Sequence, residues 1–86
     1  MGKYSILVKK SAVKELEKVP QPDLRRIAGK IQNLAIDPRP VGSQKLSSFE
    51  LYRIRQGDYR IIYSIDDTEI LIEIIKIGHR RDIYKF

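Results

Sequence analysis

The chain has 86 residues, no cysteine, and a formal charge of +6 at pH 7 from 17 Lys/Arg against 11 Asp/Glu. That length allows a single domain spanning residues 1–86 with a modest core, and the missing cysteines exclude a disulfide scaffold, a thiolate metal site and a cysteine nucleophile. A pI near 9.7 points to an acidic partner, nucleic acid or acidic protein, while the lack of a signal-like N-terminus or a long apolar run predicts a soluble cytoplasmic protein with no membrane role.

Residues 4–9, Tyr-Ser-Ile-Leu-Val-Lys, read as a first strand. Ser11 is placed to cap the helix that follows, with Glu15 near its positive end and Ala12, Leu16 and Val19 along one stripe. Pro20 stops that helix, and Pro22 suits the first turn of a second one. There Leu24, Ile27, Ala28, Ile31, Leu34 and Ala35 repeat at helical spacing over about four turns. The outer face of this helix shows Arg25, Arg26 and Lys30, and the prolines of Asp37-Pro38-Arg39-Pro40 end it. The short connection predicts a helical hairpin. Residues 41–48 read as a loop carrying Lys45 toward the next strand.

Residues 51–63, Leu-Tyr-Arg-Ile-Arg-Gln-Gly-Asp-Tyr-Arg-Ile-Ile-Tyr, read as two alternating strands. With Gly57-Asp58 as a two-residue turn, Arg55 lies opposite Arg60, Ile54 opposite Ile61, Arg53 opposite Ile62 and Tyr52 opposite Tyr63. One face then carries Tyr52, Ile54, Ile61 and Tyr63, and the other Arg53, Arg55 and Arg60. Arginines facing one another repel unless an anion lies between them, and phosphate is the natural choice. A turn at Asp67-Thr68 puts Ile65 opposite Ile70, Tyr63 opposite Ile72 and Ile61 opposite Ile74 on the core side. Ile62, Leu71, Glu73 and Ile75 fall on the arginine face, with Arg53, Ile62 and Glu73 in one row. The expected fold is α+β, β-α-α-β-β-β, a helical hairpin packed on one face of an antiparallel sheet. The apolar four are expected to be more buried than the three arginines.

Charge is also segregated. Residues 1–49 hold ten Lys/Arg against four Asp/Glu, whereas residues 50–86 hold seven of each. In the second half the acids gather at Asp66-Asp67-Thr68-Glu69 and the bases on one sheet face and in His79-Arg80-Arg81, which suits a binding surface. No glycine-rich phosphate loop, nucleophile elbow or histidine pair is present, and no cofactor or metal is expected. The one histidine, His79, follows the last strand and is expected to come back over the sheet end where the arginines point.

The block at residues 51–63, followed after an acidic turn and an apolar strand by Ile77-Gly78-His79-Arg80-Arg81-Asp82-Ile83-Tyr84, resembles the C-terminal half of the RelE/ParE toxin superfamily, and the helices and first strand match the remainder. The resemblance implies a microbial-RNase-like fold and the toxin of a type II toxin–antitoxin pair. It implies an endoribonuclease that cuts mRNA at the ribosomal A site, and a cognate antitoxin that wraps the toxin in a hetero-oligomeric complex. Carried over by position, the phosphate-binding and transition-state residues fall at Arg53, Arg55 and Arg60, the basic position after the last strand at Arg80, and the tail aromatic at Tyr84. The best-known ribosome-dependent members place lysines where this chain has Arg53 and Arg55, and an arginine does not give up its proton.

The chemistry can be laid out independently. Metal-free RNA cleavage by 2′-hydroxyl attack needs a proton acceptor, a proton donor to the leaving 5′-oxygen, and cations at the phosphorane. Arg60 suits the last role, with Arg53, Arg55, Lys45 and Arg81 as phosphate contacts. His79 suits either proton role, and Tyr84 can donate or stack. Glu73 is a further candidate base, an ion pair with Arg53 being the plainer reading. Two other readings stand beside this one: a ParE-like toxin that inhibits DNA gyrase without cutting RNA, and a non-catalytic RNA- or protein-binding module.

Overall fold

The computed structural model describes residues 3–46 and 50–81. Strand β1 (Ser5–Val8) leads into α1 (Lys10–Glu17) and α2 (Asp23–Leu34), followed by β2 (Gln44–Leu46), β3 (Leu51–Gln56), β4 (Tyr59–Asp66) and β5 (Leu71–His79). The sheet order is β1-β5-β4-β3-β2. All neighbours are antiparallel except β1 and β5, which run parallel. The sheet is therefore mixed, with five strands rather than four. The added strand, β2, lies within residues 41–48, where the sequence reads as a loop. It is only three residues long and exists because β3 offers it a free edge: Gln44 pairs with Arg53 and Lys45 with Tyr52.

The helices cover one face of the sheet. Ala12, Val19, Ile27, Ile31 and Leu34 pack with Ile54, Ile61, Tyr63, Ile72, Ile74 and Ile77 in one cluster, α1 lying against β5 and α2 against β3. Asp23 sits in the first turn of α2, where a carboxylate favours the helix dipole. Ser11 does not cap α1. The backbone N–H of Lys9 still donates to Ile74 at the end of β1, 3.0 Å, and that of Val13 already donates to the carbonyl of Lys9, 2.9 Å. The chain thus turns from ladder to helix at Lys9, which leaves Ser11 inside the first turn.

The β3–β4 register is the one the sequence predicts at all five pairs. Gly57 has φ +59 and Asp58 does not enter the positive region, as a type II′ turn requires. The β4–β5 register differs. Asp66 Oδ1 accepts from the backbone N–H groups of both Thr68 and Glu69 at 3.0 Å, which builds a loop of residues 67–70 instead of a two-residue turn. Ile65 then faces Ile72, and Tyr63 faces Ile74. Ile70 is exposed rather than in the core, with φ 53, a left-handed conformation that strains a β-branched residue. A bulge between Ile62 and Tyr63 leaves Ile75 unpaired, so that Lys76 faces Ile62, and Ile77 faces Ile61 and enters the core.

Two polar connections hold the edges. Past Val8 no strand among the described residues covers β5, and the side chain of Glu15 takes over: Oε1 accepts from Ile77 N at 3.0 Å while Oε2 lies 3.6 Å from Lys76 Nζ. At the other end Tyr4 and Arg39 both donate to Asp67, at 2.6 and 3.0 Å, and Arg39 Nε also donates to the Tyr52 hydroxyl at 3.3 Å. These donors hold the Asp67 carboxyl below the usual range, Arg39 first and Tyr4 second. Tyr63 donates to the carbonyl of Pro38 at 2.7 Å, and its burial pushes the hydroxyl up to about 12. The loop after α2 is thereby fastened to β3, to β4 and to the β4–β5 loop.

Candidate functional site

On the sheet face away from the helices, strand pairing lines up Gln44, Arg53, Ile62 and Lys76 in one row and Arg55, Arg60 and Gly78 in the next. The three sheet arginines predicted to gather do so. Gln44 Oε1 accepts from Arg53 Nη2 and orients that fork. Arg55 is exposed. Arg60 is not the projecting side chain the alternation suggests: it is only 9% exposed, more buried than Tyr52. Its Nη1 folds back to donate to the carbonyls of Gly57, 3.3 Å, and Tyr59, 3.2 Å. Gly78 opposite it has no side chain to prop it outward. The cation facing Arg55 is consequently fixed in place by the turn that set the register.

Arg80 is tied to the same turn. Its backbone N–H donates to the carbonyl of Asp58 at 2.7 Å, and its Nε stands 3.8 Å from the Asp58 carboxylate in a solvent-exposed pair. Four arginines thus converge on the β3–β4 hairpin.

Other expected members fall elsewhere. His79 pairs with Tyr59, and the two rings meet edge to face at 5.8 Å. Tyr59 packs against the helix-covered core, which puts His79 on the opposite face from Arg60 rather than over the arginines; the one-residue bulge sets that parity. Lys45 pairs with Tyr52, on the core side, and its ammonium lies 3.3 Å from Glu50. Glu73 faces Ser64 rather than standing in the row of Arg53 and Ile62, because the register shift brings Lys76 there. Arg81 is exposed, its backbone N–H donating to His79 Nδ1 at 3.3 Å. Tyr84 lies outside the described residues.

Three residues join the surface that the sequence alone did not single out as site residues. Gln44 was hidden in an unrecognised strand, and Lys76 by the bulge. Lys30 lines a cleft of about 330 Å³ with Pro40, Val41, Gly42, Gln44 and β3 from Arg53 to Arg55. Its place on the polar face of α2 was legible, but not its distance from β3. Among the described residues no group of three or more His, Asp or Glu could hold a metal ion, and no helix is long and apolar enough to cross a membrane.

The chain is thus a basic α+β domain with guanidiniums gathered on the sheet face away from its helices. Its family can be stated as well. Residues 6–84 match the model of the ParE toxin of type II toxin–antitoxin systems, and the chain belongs to this RelE/ParE toxin family. Among curated proteins it is similar to toxin RelE of Mycobacterium tuberculosis, 29% identical over 95% of this chain and 87% of that protein. Among solved structures it superposes on the archaeal RelE–RelB complex from Pyrococcus horikoshii with TM-score 0.82 and 33% identity, covering 91% of this chain and 96% of that one. The toxin–antitoxin complex RelBE2 from M. tuberculosis also gives TM-score 0.82, at 26% identity over 95% and 97% of the two chains.

Proposed function

We propose that this toxin is a metal-independent endoribonuclease that cleaves mRNA at the ribosomal A site and is neutralised by a cognate antitoxin. The observation that carries the reading is the clustering of Arg53, Arg55 and Arg60 on one face, with Arg60 held by two turn carbonyls. Cleavage by 2′-hydroxyl attack turns a monoanionic phosphodiester into a dianionic phosphorane, so preorganised cations lower the barrier more than they tighten substrate binding. Arg60 and Arg55 are assigned to the non-bridging oxygens, and Arg53, oriented by Gln44, to the neighbouring backbone. Arg80, beside the hairpin turn, is assigned to the side of the leaving 5′-oxygen. A guanidinium is not a proton acceptor for a 2′-hydroxyl, so that role falls outside the arginines. Tyr84 is the remaining family position for proton handling and stacking, His79 being turned toward Tyr59. The antitoxin is expected to present acidic residues to this basic surface, with binding that weakens as salt rises.

The family model's description as a ParE toxin, together with arginines at Arg53 and Arg55, supports a second reading, inhibition of DNA gyrase without RNA cleavage. One experiment separates the two. The purified toxin is incubated with ribosomes stalled on a defined mRNA, and in parallel with gyrase and relaxed DNA. Cleaved mRNA bearing 2′,3′-cyclic phosphate and 5′-hydroxyl ends, with supercoiling unaffected, is the expected result. Intact mRNA with blocked supercoiling overturns it in favour of the gyrase reading.

A further inference from the structure

β2 covers β3 only as far as the Gln44–Arg53 pair, so among the described residues β3 from Ile54 onward is the bare edge of the sheet. The cleft lined by Lys30 of α2, the 40–42 turn, Gln44 and β3 from Arg53 to Arg55 opens along that edge. It joins the arginine face to the helix side of the molecule. Its walls are shaped by the fold: Ser43 N donates to Pro40 O at 2.9 Å and Gly42 has φ +94, a tight turn standing opposite α2. Among the described residues no carboxylate lines it, and neither Lys30 nor Arg55 has an ion-pair partner.

We propose that this cleft is a second, flanking subsite for the phosphodiester backbone of single-stranded RNA, in which Lys30 contacts a phosphate away from the one held on the arginine face. The inference rests on the ribonucleolytic reading for its choice of RNA. The polar groups of the lining suit a phosphodiester backbone. It offers three cations and the Gln44 carboxamide, which suit phosphate oxygens. Among the described residues it holds no aromatic ring on which a base could stack. Its large apolar side chain on the sheet, Ile54, is covered at 3% exposure, and the exposed apolar contact is Val41 of the turn at the rim. Because Arg53 and Arg55 border both the face and the cleft, a strand crossing the β3 edge passes from one to the other without leaving positive potential.

The test uses a fluorescein-labelled single-stranded oligonucleotide with 2′-O-methyl sugars, which cannot be cleaved by 2′-hydroxyl attack, and measures its affinity by anisotropy across a salt series. Lys30→Ala should weaken binding about three- to tenfold and lower the slope of log K against log salt by about 0.7, one phosphate's worth for a single strand. Lys30→Glu should weaken it further. Lys14→Ala, an equal charge change at an exposed position of α1, should leave affinity unaltered. Lys30 is exposed on α2 and alanine is the better helix former, so thermal melts should match the wild type. The proposal is overturned if Lys30→Ala and Lys30→Glu bind the oligonucleotide as Lys14→Ala does. It is overturned equally if the wild type does not bind it, or if the Lys30 variants lose affinity only for a poly-glutamate peptide, which would make the cleft a protein-docking surface. Because the probe is uncleavable, failure of the nuclease reading appears in the ribosome assay and leaves this result standing.

Discussion

Replacing Arg60 by alanine removes both a buried structural cation and the proposed phosphorane contact, and the two losses can be sized separately. Two hydrogen bonds to backbone carbonyls vanish, at 3.3 and 3.2 Å long for N–H···O and hence together worth about 1–3 kcal/mol. Burial of the aliphatic stem adds on the order of 2 kcal/mol at about 0.8 kcal/mol per methylene. Relief of the repulsion with Arg55 across the ladder returns roughly 0.2–1 kcal/mol. The net destabilisation is about 2–5 kcal/mol, which a domain in the middle of the ordinary range of about 5–15 kcal/mol survives. The loss of one preorganised donor to the phosphorane costs on the order of 3 kcal/mol more in the barrier, about a hundredfold in rate. Urea unfolding measures the first quantity, and single-turnover cleavage of ribosome-bound mRNA at saturating toxin measures the second. Arg60→Lys keeps the charge without the planar fork and should recover part of the rate. An Arg60→Ala protein that is destabilised yet cleaves within threefold of the wild-type rate would show that Arg60 only fastens the hairpin turn. One that loses no stability would refute the argument from burial.

At acid pH the fastening of the post-α2 loop should fail first: Asp67 is held below the ordinary carboxylate range, so the unfolded chain binds more protons between the two values. The stability it contributes is present above the unfolded pKa of about 3.9 and is lost as pH falls through the lower folded value. The gap between the urea midpoints of the wild type and Arg39→Ala, small because the pair is exposed, should therefore narrow as pH falls from about 6 into the acid range, leaving only what the Arg39–Tyr52 hydrogen bond contributes. Ile61→Ala opens a cavity among Ile54, Ile77 and the helices and should cost about 2–5 kcal/mol by urea unfolding. Glu15→Ala leaves the Ile77 N–H without its acceptor at the open edge of β5. It should cost about 1–3 kcal/mol and speed exchange of that amide, with Glu15→Gln restoring most of the protection.

The hairpin was fully legible in the sequence because a two-residue turn with glycine at its first position leaves one register, and alternation then assigns every side chain to a face. The family resemblance rests on those same residues together with the basic run after β5. Helix α2 was equally legible, since Ile27, Ile31 and Leu34 recur at the spacing that puts them all in the core.

What the sequence determined by itself is therefore local: the helices, the Gly57-Asp58 turn, the arginine face and the basic excess. Tertiary structure decided everything that depends on residues meeting across long stretches of chain. The Asp66 carboxylate accepts two N–H groups and lengthens a turn; the bulge at Ile75 reverses facing beyond it, bringing Lys76 opposite Ile62 and turning His79 toward Tyr59. The short β2 and the parallel pairing of β1 with β5 have no periodic signature of their own, because each is held mainly by the strand beside it. Alternation reports which face a side chain leaves from, not where a long flexible one ends. The fold alone could show that Arg60 lies back against the turn and that Lys30 and Arg55 border one cleft.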